Sequence, residues 1–266
     1  MANNKFKNNW KSYFNKDNAA YLVNGKTAIE KALEHLGSYC VAVPTYTCHR
    51  VYEAIENAHC KPRIIDCRVD LQINETLVDD YKDVDTVIVP HMFGIQAQEQ
   101  IKHLKEKGYA VIEDCSQCLG LEGLGRYSDV VIASLGPTKW LPTGVNKEKG
   151  GAVFAYNGKD IEWHDNPTAI HRTNVMFQDI EKIYDSRLER VEELKRAGCH
   201  FIGENQPNAW LRAMYYTNDQ KRIPYTPLHD LYNGTKNVID EDVNFDCPVV
   251  DSIKDNLEWV SIFPNI

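Results

Sequence analysis

Hydrophobic residues follow two alternating patterns along residues 20–156. Short continuous apolar runs, typical of strands buried on both faces, alternate with stretches in which apolar residues recur every three or four positions, typical of helices. The runs occupy residues 40–44, 62–67, 86–90, 109–112, 130–133 and 150–155. Helical spacing begins at Thr27 and again near residues 51 and 96. This order predicts βαβ units, and therefore a mainly parallel sheet with helices on both faces.

The pattern is less regular on either side of this region. Residues 1–19 are polar and are expected to form a loose amino-terminal segment over the surface or over a partner subunit. Residues 157–175 are also polar and include Pro167, which predicts a linker or an active-site loop. Helical spacing returns near residue 178, and residues 176–266 are expected to form a small carboxyl-terminal α/β lobe.

Composition narrows the classes of protein to consider. The chain has 266 residues, of which 43% are hydrophobic and 26% charged, so it can form a packed core. Its net charge of −8 argues against nucleic acid as the main partner. No apolar run approaches ~20 residues, so no membrane span is expected. The amino end lacks the apolar region of a secretory signal, and several of the eight cysteines lie in apolar runs, which predicts a cytoplasmic protein.

Two of the apolar runs stop at residues that carry chemistry. The run 109–112 is followed by Asp114, and the run 130–133 is followed by Ser134 and, five residues later, by Lys139. Functional groups gather at the carboxyl ends of the strands in an open α/β sheet. A lysine and an aspartate that converge there suggest an aldehyde cofactor with a ring nitrogen. The lysine would form a Schiff base, and the aspartate would pair with the pyridinium.

Other positions add to this predicted site. His91 follows the run 86–90, and a helix begins near Lys26, Thr27 and Ala28, directly after Gly25. The free N–H groups of a helix start bind phosphate well, and glycine allows a ligand to approach the backbone closely. Taken singly, an aspartate after a strand is more often a helix cap, and a lysine in a loop is more often solvated. The ordered set favours a cofactor site.

The order of these motifs resembles the DegT/StrS family of pyridoxal-phosphate-dependent sugar aminotransferases. The matching segments are residues 24–28, 43–47, 91–94, 113–117, 134–139 and 150–151. The resemblance implies an α/β fold like that of aspartate aminotransferase. Residues 1–156 would form a three-layer α/β/α domain that binds the cofactor, and the carboxyl-terminal lobe would be shorter than is usual in the family.

The resemblance also implies roles for individual residues in binding pyridoxal 5'-phosphate (PLP). Lys139 would carry the Schiff base and later move a proton, and Asp114 would keep the pyridine nitrogen protonated. Gln117 would hydrogen-bond the phenolic oxygen of the cofactor. The phosphate would be held by Ser134, Lys26, Thr27 and Ala28 of one subunit and Asn174 of the other, which implies a homodimer. The implied reaction transfers an amino group from glutamate or glutamine to a keto-sugar, and comparison with the family implies a nucleotide-linked one.

The chain also departs from the family pattern. Cys48 and then His49 occupy the place where the family has an aromatic residue over the cofactor ring, so either His49 stacks there or the stacking is weaker. Residues 140–149 make the segment after the lysine longer than usual. An unusual or smaller substrate would fit these departures and the short carboxyl-terminal lobe.

Three alternatives remain open from the sequence. Some relatives are dehydratases with histidine at the lysine position, and Lys139 argues against that reaction. A non-enzymatic binding or regulatory protein could retain the fold. Cys115 and Cys118 form a C-x-x-C motif, which is also found in redox pairs and zinc sites. A structural zinc site needs four ligands and the chain has no second motif of this kind, so we predict no metal and interpret the pair as packing residues.

Overall fold

The computed structural model describes residues 2–143, 150–161, 164, 166–216, 226–227, 248–253 and 257–261. Seven strands in these ranges form the main sheet, and three short strands form a second one. The strands of the main sheet are β1 (Asn18–Leu22), β2 (Cys40–Pro44), β3 (Lys61–Ile65), β4 (Thr86–Pro90), β5 (Ala110–Asp114), β6 (Val130–Ser134) and β7 (Ala152–Tyr156). All but the first correspond to apolar runs of the sequence.

The main sheet is mostly parallel, as predicted. Its strand order is β1-β7-β6-β5-β4-β2-β3. The five strands from β6 to β3 pair in parallel, whereas β7 runs antiparallel to both of its neighbours. The carboxyl ends of the parallel strands therefore lie along one edge, where Pro90 pairs with Asp114 and Asp114 with Ile132. Polar residues that follow these strands are thereby brought together.

Helices cover both faces of the main sheet, so the predicted three-layer fold is confirmed. The helices are α1 (Ala2–Tyr13), α2 (Gly25–Leu36), α3 (His49–Asn57), α4 (Gln98–Glu106), α5 (Pro167–Met176) and α6 (Ile180–Arg196). Helices α2 and α3 pack on one face, and α1, α4 and α5 lie over the other. In β7, Phe154 faces the α2 side while Val153 and Ala155 face the α1 side. Burial on both faces explains the continuous apolar runs.

The expectation of a loose amino-terminal segment is wrong. Residues 2–13 form α1, and Phe6, Trp10 and Phe14 are all fully buried. These three aromatic residues are spaced four apart and therefore share one face of the helix. The ring of Phe6 meets that of Tyr21 edge-on at 5.8 Å, which fastens α1 to β1. The asparagines and lysines around the aromatic residues lie on the other faces and hide this pattern in the composition.

The prediction of a linker or loop at residues 157–175 missed helix α5. The side chain of Asn166 caps this helix by accepting a hydrogen bond from the N–H of Ala169 at 3.0 Å. Pro167 follows at the first helical position, where proline is well tolerated because its missing N–H would have no partner there. Pro167 therefore begins a helix, and Ile170 of that helix is fully buried against the α1 side of the core.

The carboxyl-terminal part contains both helix and sheet. Helix α6 has 17 residues and begins at Ile180, close to residue 178, where the sequence predicts that helical spacing returns. The second sheet consists of β8 (Arg212–Tyr216), β9 (Thr226–Pro227) and β10 (Leu257–Ser261), with β10 antiparallel to both other strands. A short helix, α7 (Pro248–Ile253), precedes β10. Among the residues that the structure describes, none of the helices has the length and apolar character needed to cross a bilayer.

Candidate active site

A cavity of about 430 Å³ opens at the carboxyl edge of the main sheet. It is formed by the ends of β5 and β6, the first turns of α2 and α3, and the segment after β6. Asp114 and Lys139 both line this cavity. The structure therefore brings together the two residues on which the sequence argument depends.

Asp114 faces the cavity because side chains alternate along β5. Ile112 and Asp114 point to the side covered by α2, whereas Glu113 between them points to the opposite face. The carboxylate of Asp114 accepts a hydrogen bond from the N–H of Ser116 at 2.9 Å. This contact holds one carboxylate oxygen at the end of the strand and leaves the other acceptor positions available to a ligand.

Lys139 reaches the cavity from a short turn after β6. The backbone N–H of Lys139 donates to the carbonyl of Gly136 at 3.0 Å, and this bond closes the turn. The next residue, Trp140, is fully buried, and its indole N–H donates to the carbonyl of Ala209 at 3.0 Å. The half-buried lysine is therefore carried by a backbone that is fixed on both sides.

The amino end of α2 closes another side of the cavity. Asn24 caps the helix and its side chain accepts from the N–H of Thr27 at 2.9 Å, while its carbonyl accepts from Ala28 N–H at 3.1 Å. Gly25 and Lys26 line the cavity. Of the predicted phosphate ligands on this helix, Lys26 is therefore at the cavity, whereas the Thr27 and Ala28 amides are bonded to Asn24.

Ser134 lines the cavity opposite this helix end. A Cβ atom placed on Gly25 would lie 2.9 Å from the Cβ of Ser134. Two Cβ atoms do not approach each other this closely, so α2 can pack against β6 here only if residue 25 is glycine.

Cys48 and Arg50 at the start of α3 also line the cavity. His49 between them is half exposed, and its Nε2 lies 4.0 Å from Glu53. Arg50 was missed by the sequence reasoning. The available signal was its place in the first turn of a helix that directly follows a strand end, where side chains face the same edge as Asp114.

Gln117 and Asn174 are not among the residues that line the cavity. The amide N–H of Gln117 lies 3.6 Å from the sulfur of Met92, and its oxygen has no hydrogen-bond partner among the described residues. Asn174 is buried on α5 and donates to the carbonyl of Ala2 at 2.9 Å. The roles predicted for both side chains stay predictions, and that of Asn174 would require it to leave this contact with α1.

On the far side of β5, the fully buried carboxylate of Glu113 is the acceptor of a hydrogen-bond network. One carboxylate oxygen accepts from His91 Nε2 at 2.9 Å and from Gln98 at 2.6 Å. The other accepts from the N–H of Gly125 at 3.0 Å and the hydroxyl of Ser128 at 2.7 Å. His91 therefore serves this network and does not face the cavity. Burial raises the pKa of Glu113, but these hydrogen bonds outweigh it and hold the pKa below its ordinary value.

The C-x-x-C motif lies beside this network. His91, Cys115 and Cys118 place one potential ligand atom each within 4.8 Å of one another. However, the N–H of Ala97 donates to His91 Nδ1 at 2.9 Å, so that nitrogen carries a lone pair and the proton lies on Nε2, which donates to Glu113. With Nδ1 accepting from Ala97 and Nε2 donating to Glu113, neither ring nitrogen of His91 has a lone pair free for a metal in this arrangement. Burial raises the pKa of both thiols, which disfavours the thiolates that metals bind.

Comparison with known proteins identifies the class to which this site belongs. Residues 1–166 match the model of the DegT/DnrJ/EryC1/StrS aminotransferase family. The chain therefore belongs to this family. Protein MosB of Rhizobium meliloti is 41% identical to it over 68 residues, which cover 23% of this chain and 13% of MosB. The match thus spans only a small part of that relative.

Solved structures with similar folds cover nearly the whole chain. A DegT DnrJ EryC1 StrS aminotransferase from Brucella abortus has a TM-score of 0.74 and 16% identity, over 98% of this chain and 85% of the other. A GDP-4-keto-6-deoxymannose-3-dehydratase, solved with a trapped PLP-glutamate geminal diamine, has a TM-score of 0.80 and 10% identity, over 99% and 88%. At these identities the likeness shows the shared fold.

Proposed function

We propose that this chain is a PLP-dependent aminotransferase that moves an amino group from glutamate or glutamine to a keto-sugar. The observation that supports this most is the meeting of Lys139 and Asp114 in one cavity, in a member of the DegT/DnrJ/EryC1/StrS aminotransferase family. A primary amine and a carboxylate are the two groups that this cofactor requires from a protein.

The residues around the cavity fit PLP in size and in chemistry. The volume of about 430 Å³ lies within the range of small-molecule sites. The space between Gly25 and Ser134, called the cradle here, would be filled by a Cβ atom on residue 25. This cradle lies at the amino end of α2, which is the positive end of the helix dipole. A helix start that offers N–H groups next to a hydroxyl suits a phosphate. We therefore assign the phosphate to Gly25, Lys26 and Ser134.

The side chains would divide the work of the reaction. PLP, when bound, supplies an aldehyde and a ring that can accept electrons. The Lys139 amine would bind the aldehyde, and after the donor displaces it, would move the proton at the reacting carbon. The Asp114 carboxylate would hold a proton at the ring nitrogen through a charge-assisted hydrogen bond of about 1.5–3 kcal/mol. The hydrogen bond from Ser116 keeps that carboxylate turned toward the cavity.

The proposal extends to the charge of the substrate, the cellular location and the oligomeric state. Arg50 pairs with Glu53 at 2.6 Å and lines the cavity, where its guanidinium suits an anionic group such as the diphosphate of a nucleotide-linked sugar. Seven cysteines among the described residues are free thiols, as is usual in a reducing compartment, and this supports a cytoplasmic location. A homodimer is part of the proposal by comparison with the family.

A sugar dehydratase is the second candidate, since one of the similar structures is such an enzyme. The family resemblance implies histidine at the lysine position in sugar dehydratases, and this chain has Lys139. A lysine at this position, whose amine can bind the cofactor aldehyde and then act as a base, favours transamination. A non-enzymatic protein with the same fold is the third candidate, and it would have no need of both Lys139 and Asp114 in the cavity.

The test is covalent capture of the cofactor. The purified protein is incubated with PLP and reduced with borohydride, and the modified peptide is identified by mass spectrometry. We expect the label on Lys139 and its loss in Lys139→Ala, while Lys31→Ala, an exposed lysine of α2, keeps it. Nitrogen-15 transfer from labelled glutamate or glutamine to a panel of nucleotide-linked keto-sugars then separates the candidates. Capture without amino transfer but with loss of water would favour the dehydratase, and no uptake of PLP would refute the proposed function.

A further inference from the structure

Ser116 lies between three parts of the site: the end of β5, the end of β6 and the segment that carries Lys139. It is the second residue after β5, it is 4% exposed, and it lines the cavity. A small polar residue in such a place can bond both to its neighbours and to a ligand.

Each hydrogen-bonding group of Ser116 contacts a different segment. Its N–H donates to Asp114 Oδ1 at 2.9 Å. Its hydroxyl oxygen accepts from the N–H of Ser134 at 2.8 Å. Its carbonyl accepts from the N–H of Trp140 at 3.4 Å, directly after Lys139. One residue therefore connects the end of β5, the end of β6 and the lysine segment.

The bond to Ser134 replaces a rung of the parallel sheet. The N–H of Cys115 still donates to the carbonyl of Ile132 at 2.8 Å, as a parallel ladder requires. The next amide of β6 that faces β5 is Ser134 N–H, and it is bonded to a side chain where a backbone carbonyl would normally accept. The chain can thus leave the sheet after Asp114 without leaving this amide unpaired.

We propose that Ser116 is a positioning residue of this site, whose hydroxyl fixes Ser134 relative to Asp114. This inference rests on the proposed function for its consequence, because Ser134 is one of the groups assigned to the phosphate. Ser134 is also packed so closely on Gly25 that a shift of β6 here would change the cradle between them. Ser116 itself acts through these neighbours.

The variant Ser116→Ala removes the hydroxyl and keeps both backbone contacts. The partly buried amide of Ser134 then loses its acceptor, which we expect to weaken PLP binding about tenfold. Capture at Lys139 by borohydride should remain complete at saturating PLP, because Asp114 and Trp140 keep their bonds to the Ser116 backbone. Ser116→Thr restores the hydroxyl, and its extra methyl group has room since the residue borders the cavity.

A matched control separates positioning from general loss of stability. Ser128→Ala also deletes a buried hydroxyl, one that donates to Glu113 on the opposite side of β5. We expect it to lower stability and to leave the dissociation constant of PLP unchanged. A second readout needs no cofactor: hydrogen exchange at the Ser134 amide in the free protein should become about tenfold faster in Ser116→Ala and return in Ser116→Thr.

The outcomes are distinct. Wild-type exchange at Ser134 together with wild-type PLP affinity in Ser116→Ala would overturn the inference, and so would an equal loss of PLP affinity in Ser128→Ala. If the wild-type protein takes up no PLP, the proposed function fails, while the exchange measurement still decides whether Ser116 holds Ser134. Faster exchange and weaker binding in Ser116→Ala, with rescue by threonine, would support the inference.

Discussion

Replacing Glu113 by glutamine tests the buried network behind the candidate site. The carboxylate is fully buried and receives hydrogen bonds from four nitrogen or oxygen donors, two on each oxygen. The amide has the same shape but only one acceptor oxygen, and its NH₂ group must face two donors whichever way it turns. On one side those donors include the backbone N–H of Gly125, which cannot rotate away.

The expected loss follows from the number of bonds. Two hydrogen bonds to a charged acceptor disappear, each with a contribution of about 1.5–3 kcal/mol, while the neutral amide regains part of the desolvation cost of the buried charge. We expect the free energy of unfolding to fall by about 2–4 kcal/mol. This is a large fraction of the ~5–15 kcal/mol that holds a typical domain folded.

The loss of stability in Glu113→Gln should also depend on pH. Because the pKa of Glu113 in the folded protein lies below its ordinary value of 4.5, the ionised carboxylate stabilises the fold above that value. The contribution is lost as the pH falls through the folded-state pKa. The difference between the wild-type protein and Glu113→Gln should therefore be largest near neutral pH and should narrow in acid.

The assay is urea unfolding followed by tryptophan fluorescence at one fixed protein concentration, near neutral pH and at a series of acidic values. The control is Glu34→Gln, which removes an exposed carboxylate that pairs with Lys31 and should change stability by at most about 1 kcal/mol. A Glu113→Gln protein as stable as this control, or with the same difference from wild type at every pH, would refute the account of the network.

Three further predictions address the fold and the cavity. Trp10→Ala should lower the free energy of unfolding by about 3–5 kcal/mol, measured with urea, because the side chain is fully buried. A change near zero would instead support a loose amino-terminal segment. Asn166→Ala should cost about 1 kcal/mol in thermal unfolding through loss of the α5 cap. Gly25→Ala should weaken PLP binding about tenfold in a fluorescence titration, because its Cβ would press on Ser134; unchanged binding would contradict the assigned cradle.

The sequence by itself determined the sheet and the central pair of the candidate site. The runs at Cys40–Pro44 and Thr86–Pro90 have the bounds of the strands that form, because strands buried on both faces must be apolar throughout. The parallel order of the strands then implied that residues after them share one edge. For this reason Asp114 and Lys139 could be placed together before any coordinates were known, although 25 positions separate their numbers in the chain.

Tertiary structure decided which side chains complete the cavity and which turn away from it. His91 lies at the carboxyl end of a strand just as Asp114 does, yet it donates to Glu113 on the opposite face of β5. Arg50 lines the cavity, and the Ser116 hydroxyl connects two strand ends. Periodicity reports the spacing of residues within one element. Contacts between elements depend on how the elements pack, so these roles follow only from the packing of α3 and the arrangement of the strands in the sheet.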